Sequence, residues 1–173
     1  MPPLFVYYSL EGNCRRLSRR MADAVGGDAV ELIPVRDDMP RGAVLKYVRG
    51  GKDALTKKII ELTPLPINFR ERRLIFVGGP VWAWNMTPAV RSFLSENDWN
   101  GISLALFAMC RNSAGGTLKA MAALARERGG EVVGMRVFTD LRRGDAGRTE
   151  KRAVDWAVET KKVWEAASPG AVK

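Results

Sequence analysis

Five short apolar runs punctuate the chain, at residues 4–8, 29–35, 74–79, 102–109 and 132–138. Each is rich in Val, Ile, Leu or Phe and lacks polar alternation. That pattern predicts strands covered on both faces, as in a parallel sheet, and argues against a half-solvated antiparallel one. Between the runs the apolar positions change to a helical period. Cys14, Leu17, Met21 and Val25 recur at spacings of three and four, while Arg15, Arg16, Arg19 and Arg20 take the opposite side, and Gly26-Gly27 closes the helix.

Thr87 followed by Pro88 reads as an N-cap and a first helical residue, with Val90, Phe93 and Leu94 as the apolar stripe. Leu118, Met121, Ala122 and Ala125 form the stripe of another helix, closed by Gly129-Gly130. Ala153, Trp156, Ala157, Thr160 and Trp164 share one face of a last helix at about 149–167. One more helix is expected near residues 43–48 and again near 54–60, where Gly50-Gly51 interrupts the period and Pro64 and Pro66 end it. Strands alternating with helices predict an α/β fold: a doubly wound five-stranded parallel sheet with helices on both faces. One domain is expected over residues 1–173, with 168–173 as a frayed tail. In such sheets ligands bind beyond the carboxyl ends of the strands, which directs attention to the loops after strands one, three and four.

Composition narrows the chemistry. The 173 residues include 28 Lys+Arg, 19 Asp+Glu, two Cys and no His, for a net charge of +9. Without histidine a Ser-His-Asp hydrolase, a Cys-His protease and a histidine-ligated metal or haem site are excluded. Cys14 and Cys110 are too few for a zinc site or a disulfide framework. An enzyme built on this chain has to borrow its chemistry from a cofactor, or work with carboxylates, lysine or hydroxyls. No apolar run approaches the ~20 residues that span a bilayer, and no export-signal pattern opens the chain, so a cytoplasmic location without membrane contact is expected.

The first of the three loops is Ser9-Leu10-Glu11-Gly12-Asn13-Cys14. A small glycine-containing turn opening a helix presents backbone N–H groups and a positive dipole end, which suits a phosphate. The same turn also reads as an ordinary strand-to-helix connection. The second loop holds Pro80, Val81, Trp82, Ala83, Trp84, Asn85 and Met86, where two tryptophans suit a flat aromatic ligand, or else a core plug or partner patch. The third runs through Met109, Cys110, Arg111, Gly115 and Gly116. Its small residues permit close backbone approach and Arg111 offers a cation, although an arginine in a turn is equally a solvated surface group.

Together these segments resemble a known family. Tyr8-Ser9-Leu10-Glu11-Gly12-Asn13-Cys14 resembles the Ser-x-Thr-Gly-x-Thr phosphate loop of flavodoxins. Gly79-Pro80-Val81-Trp82 resembles their second flavin loop, and the strand leading into Gly115-Gly116 resembles the third. The likeness is greatest to short flavodoxin-like FMN-binding proteins. It implies the strand order 2-1-3-4-5, with FMN as cofactor. The loop from Ser9 to Cys14 then holds the phosphate through backbone N–H groups and the serine hydroxyl. Pro80 to Asn85 flank the isoalloxazine, with Trp82 or Trp84 stacked on it, and Met109 to Gly116 line its pyrimidine side. FMN would supply the redox chemistry, and no residue is assigned a catalytic or metal-binding role.

Three departures from the family pattern carry expectations. Glu11 and Cys14 stand where threonines are common. A carboxylate ~5 Å from the phosphate costs ~3 kcal/mol at an effective dielectric of ~20, so Glu11 is expected to point away or to meet Arg15 or Arg16. The second loop lacks the usual glycine, so any backbone flip toward the flavin is expected at Asn85, which tolerates positive φ. The charge is basic where electron carriers are commonly acidic, and Arg111 is expected to favour the anionic reduced flavin. A Cys14–Cys110 disulfide is not expected, since two strand spacings of ~4.8 Å separate their strands in this order.

The leading function is electron transfer between redox partners, through an acidic partner protein or a small-molecule acceptor. The alternative is an FMN oxidoreductase that uses NAD(P)H to reduce quinones or other small acceptors, with Arg142 and Arg143 near the nicotinamide phosphate. A minor alternative is a nucleic-acid-binding module using the arginines of the first helix and Lys46, Arg49, Lys52, Lys57 and Lys58, which no recognised motif accompanies.

Overall fold

The computed structural model describes residues 1–35, 58–139 and 146–168. Strands β1 (Leu4–Tyr7), β2 (Asp28–Glu31), β3 (Leu74–Trp82), β5 (Ser103–Cys110) and β6 (Glu131–Thr139) are joined by helices α1 (Asn13–Val25), α2 (Pro88–Glu96), α3 (Thr117–Glu127) and α4 (Ala146–Ala167). The two-residue strand β4 (Asn85–Met86) turns back antiparallel on β3. The parallel strands lie in the order β2-β1-β3-β5-β6. This is the order 2-1-3-4-5 when the parallel strands alone are numbered. The second-helix expectation falls mostly outside the described residues, and residues 58–60 are not helical.

Side-chain alternation within each run divides the core between the two faces of the sheet. Leu4, Val6, Ile75, Val77, Leu104 and Leu106 point toward α2 and α3, where Val90, Phe93, Trp99 and Met121 cover them. Phe5, Tyr7, Phe76 and Phe107 point toward α1 and α4. On that side Phe5 stacks on Phe76 with centroids 4.2 Å apart, and Trp156 meets the edges of Phe76 and Phe138. Both faces are apolar, which is why the sequence shows no polar alternation.

Helix boundaries follow local chemistry. Gly26, in the left-handed region at φ 65°, closes α1, and its N–H and that of Gly27 satisfy carbonyls of the last turn. Pro88 opens α2 after Thr87, as the sequence predicts, although the Thr87 hydroxyl makes no capping bond. Residues 58–69 add an irregular layer over α2: Ile60 N–H donates to Ser92 Oγ at 2.8 Å, and Phe69 meets Phe93 and Trp99.

The expectation of cover on both faces fails at both edges of the sheet: β2 ends at Glu31, and Ile33 and Val35 of the run 29–35 are exposed. The run 132–138 reads as a strand buried on both faces, yet Met135 and Val137 of β6 are exposed. β6 has one neighbour, and its register places Met135 and Val137 opposite Leu106 and Ala108, on the α2/α3 side. Phe138, toward α4, is buried. Apolar composition forms the strand, but cover depends on its place at the edge of the sheet.

Candidate functional site

β1 has β2 on one side and β3 on the other, so the connections leaving β1 and β3 diverge and open a cleft at the carboxyl edge. The cleft has a volume of about 280 Å³. Ser9, Leu10, Glu11, Asn13 and Cys14 line it from the first loop and the start of α1. Pro80, Val81 and Trp82 line it from the end of β3, and Met109, Cys110 and Arg111 from the end of β5. Three segments that are far apart in sequence meet in one depression.

The first loop has the features of an anion cradle. Gly12, at φ 86°, turns the chain into α1 and has no side chain of its own to cap it, at the end of the helix where backbone N–H groups and the positive dipole end lie. Ser9 is 8% exposed, and its Oγ is buried with no hydrogen-bond partner. A buried orphan hydroxyl costs about 1–3 kcal/mol, and here it borders the cleft beside a helix N-terminus. Cys14 is buried under the same wall, its Sγ 3.6 Å from Met109 Sδ, which ties α1 to β5. Cys14 and Cys110 are free thiols, and burial pushes the Cys110 thiol up.

Glu11 is exposed, and the two arginines expected to meet it have other carboxylates to hand. Arg15 makes a bidentate pair with Glu31, at 2.7 and 3.0 Å, and Arg16 pairs with Glu150 at 3.1 Å. These exposed pairs orient α1 more than they stabilise it.

The second loop corrects the expectation for Asn85. Trp82 pairs with Asn85 across a two-residue turn whose central residues, Ala83 and Trp84, have φ of 47° and 58°. Positive φ at both central positions marks the type I′ turn, whose twist matches the flanking strands. Hairpin geometry therefore assigns the left-handed conformation by position in the turn, whatever the residue. Neither residue is glycine, and each non-glycine left-handed residue costs roughly 1–2 kcal/mol. Asn85 lies in β4 with its Oδ1 accepting from Met86 N–H at 2.9 Å and Arg91 Nη2 at 3.0 Å.

The two tryptophans separate. Trp82 is 8% exposed, borders the cleft and meets Tyr8 edge-on, with centroids 5.6 Å apart. Trp84 is 69% exposed and rests on Gly115: a Cβ added to Gly115, which has φ of 51°, would lie 2.8 Å from Trp84 Cβ. Gly115 is thus required both by its backbone angle and by its contact with the second loop. Gly116 caps α3. Gly12, Ala83, Trp84, Asn85, Gly115 and Gly116 shape the loops without lining the cleft.

Sequence reasoning missed Arg91. It lies in α2 between the apolar residues Val90 and Phe93, is 6% exposed, and holds Asn85. The available signal was a lone cation in a helix whose other residues from Pro88 to Leu94 are apolar or small. Arg142 and Arg143 lie outside the described residues, as do four of the five basic residues of the 46–58 cluster.

This topology and the placement of the cleft define a flavodoxin-like fold. No family model and no curated protein matches the sequence. Solved structures do. The chain resembles a candidate flavoprotein from Bacteroides uniformis ATCC 8492 at a TM-score of 0.68 and 19% identity, covering 90% of this chain and 96% of that one. A flavoprotein from Lactobacillus acidophilus NCFM in complex with FMN matches at a TM-score of 0.63 and 15% identity, covering 85% and 97%. A Fusobacterium nucleatum flavodoxin bound to flavin mononucleotide matches at 0.58 and 13%, covering 94% and 98%. Among the described residues no helix is long and apolar enough to cross a membrane.

Proposed function

We propose that this chain is an FMN-binding flavodoxin-like redox protein that passes electrons between partners. The observation that carries the reading is the Ser9 hydroxyl, buried without a partner beside the N-terminus of α1, in the cleft where all three loops meet. That donor set fits a phosphate: an oxyanion there would accept from Ser9 Oγ and from the amides at the start of α1.

Bound FMN would supply one- and two-electron chemistry. The chain's own residues would hold and tune it. Trp82 offers an aromatic wall, restrained by Tyr8. Pro80, Val81 and Met109 give apolar surface against a ring, and Arg111 places a cation at the third side of the cleft, stabilising negative charge that develops there. Gly12 and Gly115 set the loop backbones, and Trp84 and Asn85 shape the hairpin behind Trp82.

The basic charge and the exposed Trp84 beside the cleft support an acidic redox partner over a basic one. Titrating the flavin-free protein with FMN while following flavin fluorescence tests the cofactor. Saturable quenching at one equivalent is expected, and absence of binding overturns the reading. NAD(P)H oxidation by the loaded protein, with and without a quinone, then separates an enzyme from a carrier. A carrier shows no turnover without a partner reductase.

A further inference from the structure

Arg91 is unusual for its place. It is the fourth residue of α2, where the helix dipole disfavours a cation, and it is 6% exposed. Among the described residues it makes no ion pair. Its Nε is buried with no acceptor, and burial lowers its affinity for its proton. A buried guanidinium so poorly compensated weakens a fold relative to an apolar side chain of similar volume.

What Arg91 does make is one well-placed bond, from Nη2 to Asn85 Oδ1 at 3.0 Å. That oxygen also accepts from Met86 N–H, so Asn85 is held in a single orientation within β4. β4 is two residues long, and its turn is strained at Ala83 and Trp84. A hairpin this short does not hold its shape unaided. It is anchored at three points: Met86 is buried in the core at its base, Asn85 is bonded to Arg91 beside the turn, and Trp84 rests on Gly115 at the tip. The Asn85 anchor lies directly across the hairpin from Trp82, which pairs with Asn85 and forms one wall of the cleft.

We propose that Arg91 is a positioning residue for the flavin cleft: its bond to Asn85 holds the β3–β4 hairpin so that Trp82 stands as a preformed wall, at the expense of fold stability. The proposal rests on the FMN reading for the ligand, while the anchoring itself is a property of the unliganded chain.

Arg91→Met, Asn85→Ala and the double variant test it. Arg91→Met is expected to weaken FMN binding about tenfold, with the thermal midpoint of the flavin-free protein unchanged or raised and the visible circular dichroism of bound flavin altered. Asn85→Ala is expected to give at least as large a loss, since it also removes the bond from Met86 N–H, and the double variant no more than Asn85→Ala alone, because the Arg91–Asn85 bond is already gone. In the flavin-free protein, amide exchange at residues 81–86 should accelerate at least several-fold in both single variants. Additive affinity losses, or unchanged affinity in Asn85→Ala, overturn the proposal, and Asn85→Ala carries the test alone if Arg91→Met does not fold. Equal exchange rates in wild type and variants overturn the anchoring whatever the ligand. Failure of the wild type to bind FMN, with exchange accelerated in the variants, instead overturns the functional reading and with it the flavin half of the proposal.

Discussion

Replacing Ser9 by alanine should move two quantities in opposite directions. In the flavin-free protein the Ser9 Oγ is buried and unpartnered, so its removal relieves a desolvation penalty of about 1–3 kcal/mol, less whatever the smaller side chain loses in packing. A net gain of about 1 kcal/mol raises the melting temperature by roughly 2–4 °C for a chain of this size. With FMN bound, the same hydroxyl donates to a phosphate oxygen, a charge-assisted bond worth about 1.5–3 kcal/mol. At 1.4 kcal/mol per tenfold, the variant should bind FMN roughly 10- to 150-fold more weakly. Calorimetric melting of the flavin-free proteins and fluorescence titration with FMN read the two effects separately. Riboflavin, which lacks the phosphate, should bind both proteins alike. Unchanged FMN affinity, or an equal loss for riboflavin, would refute the assignment of Ser9 to the phosphate.

Gly115→Ala should lower the melting temperature, since the new Cβ meets Trp84 Cβ at 2.8 Å and φ is 51°. A loss of about 1–3 kcal/mol is expected, and an unchanged melting curve would mean that the two loops part without penalty. Arg111→Ala should lower the two-electron midpoint potential of bound flavin, by roughly 20 mV for each kcal/mol of attraction removed; a spectroelectrochemical titration showing no shift would exclude Arg111 as a tuning cation. For Cys110 the folded thiol titrates above its unfolded counterpart because it is buried. Its contribution to stability is therefore complete below the ordinary thiol pKa of ~8.5 and is lost as pH rises through the raised folded value. Denaturant melts of wild type and Cys110→Ser across alkaline pH should converge, and parallel curves would contradict the burial argument.

Much of the fold was legible because its signals are local. The five apolar runs, the three-and-four spacing from Cys14 to Val25, the Thr87-Pro88 start and the Gly26 stop each depend on a few adjacent residues, and the corresponding elements form at those residues, although β2 stops at Glu31, short of the end of its run. The three candidate loops were legible for a related reason: topology brings the carboxyl ends of β1, β3 and β5 to one edge, and their residues arrive together. The exposure of β6 was not legible, because composition says nothing about which strand ends a sheet. Nor was the conformation of the second loop. Asn85 carries the side chain that favours positive φ, but the hairpin register places Ala83 and Trp84 at the turn.

The succession of strands and helices, the apolar character of both faces of the central strands, and the exclusion of histidine chemistry are written in the sequence. These follow from periodicity and residue type, which act over a few residues at a time. Tertiary structure alone decided which tryptophan borders the cleft, which hydroxyl is left without a partner beside it, and that Arg91 lies buried behind Asn85. Those facts depend on contacts between segments far apart in the chain, where burial and strand register, rather than local preference, set the environment of each group.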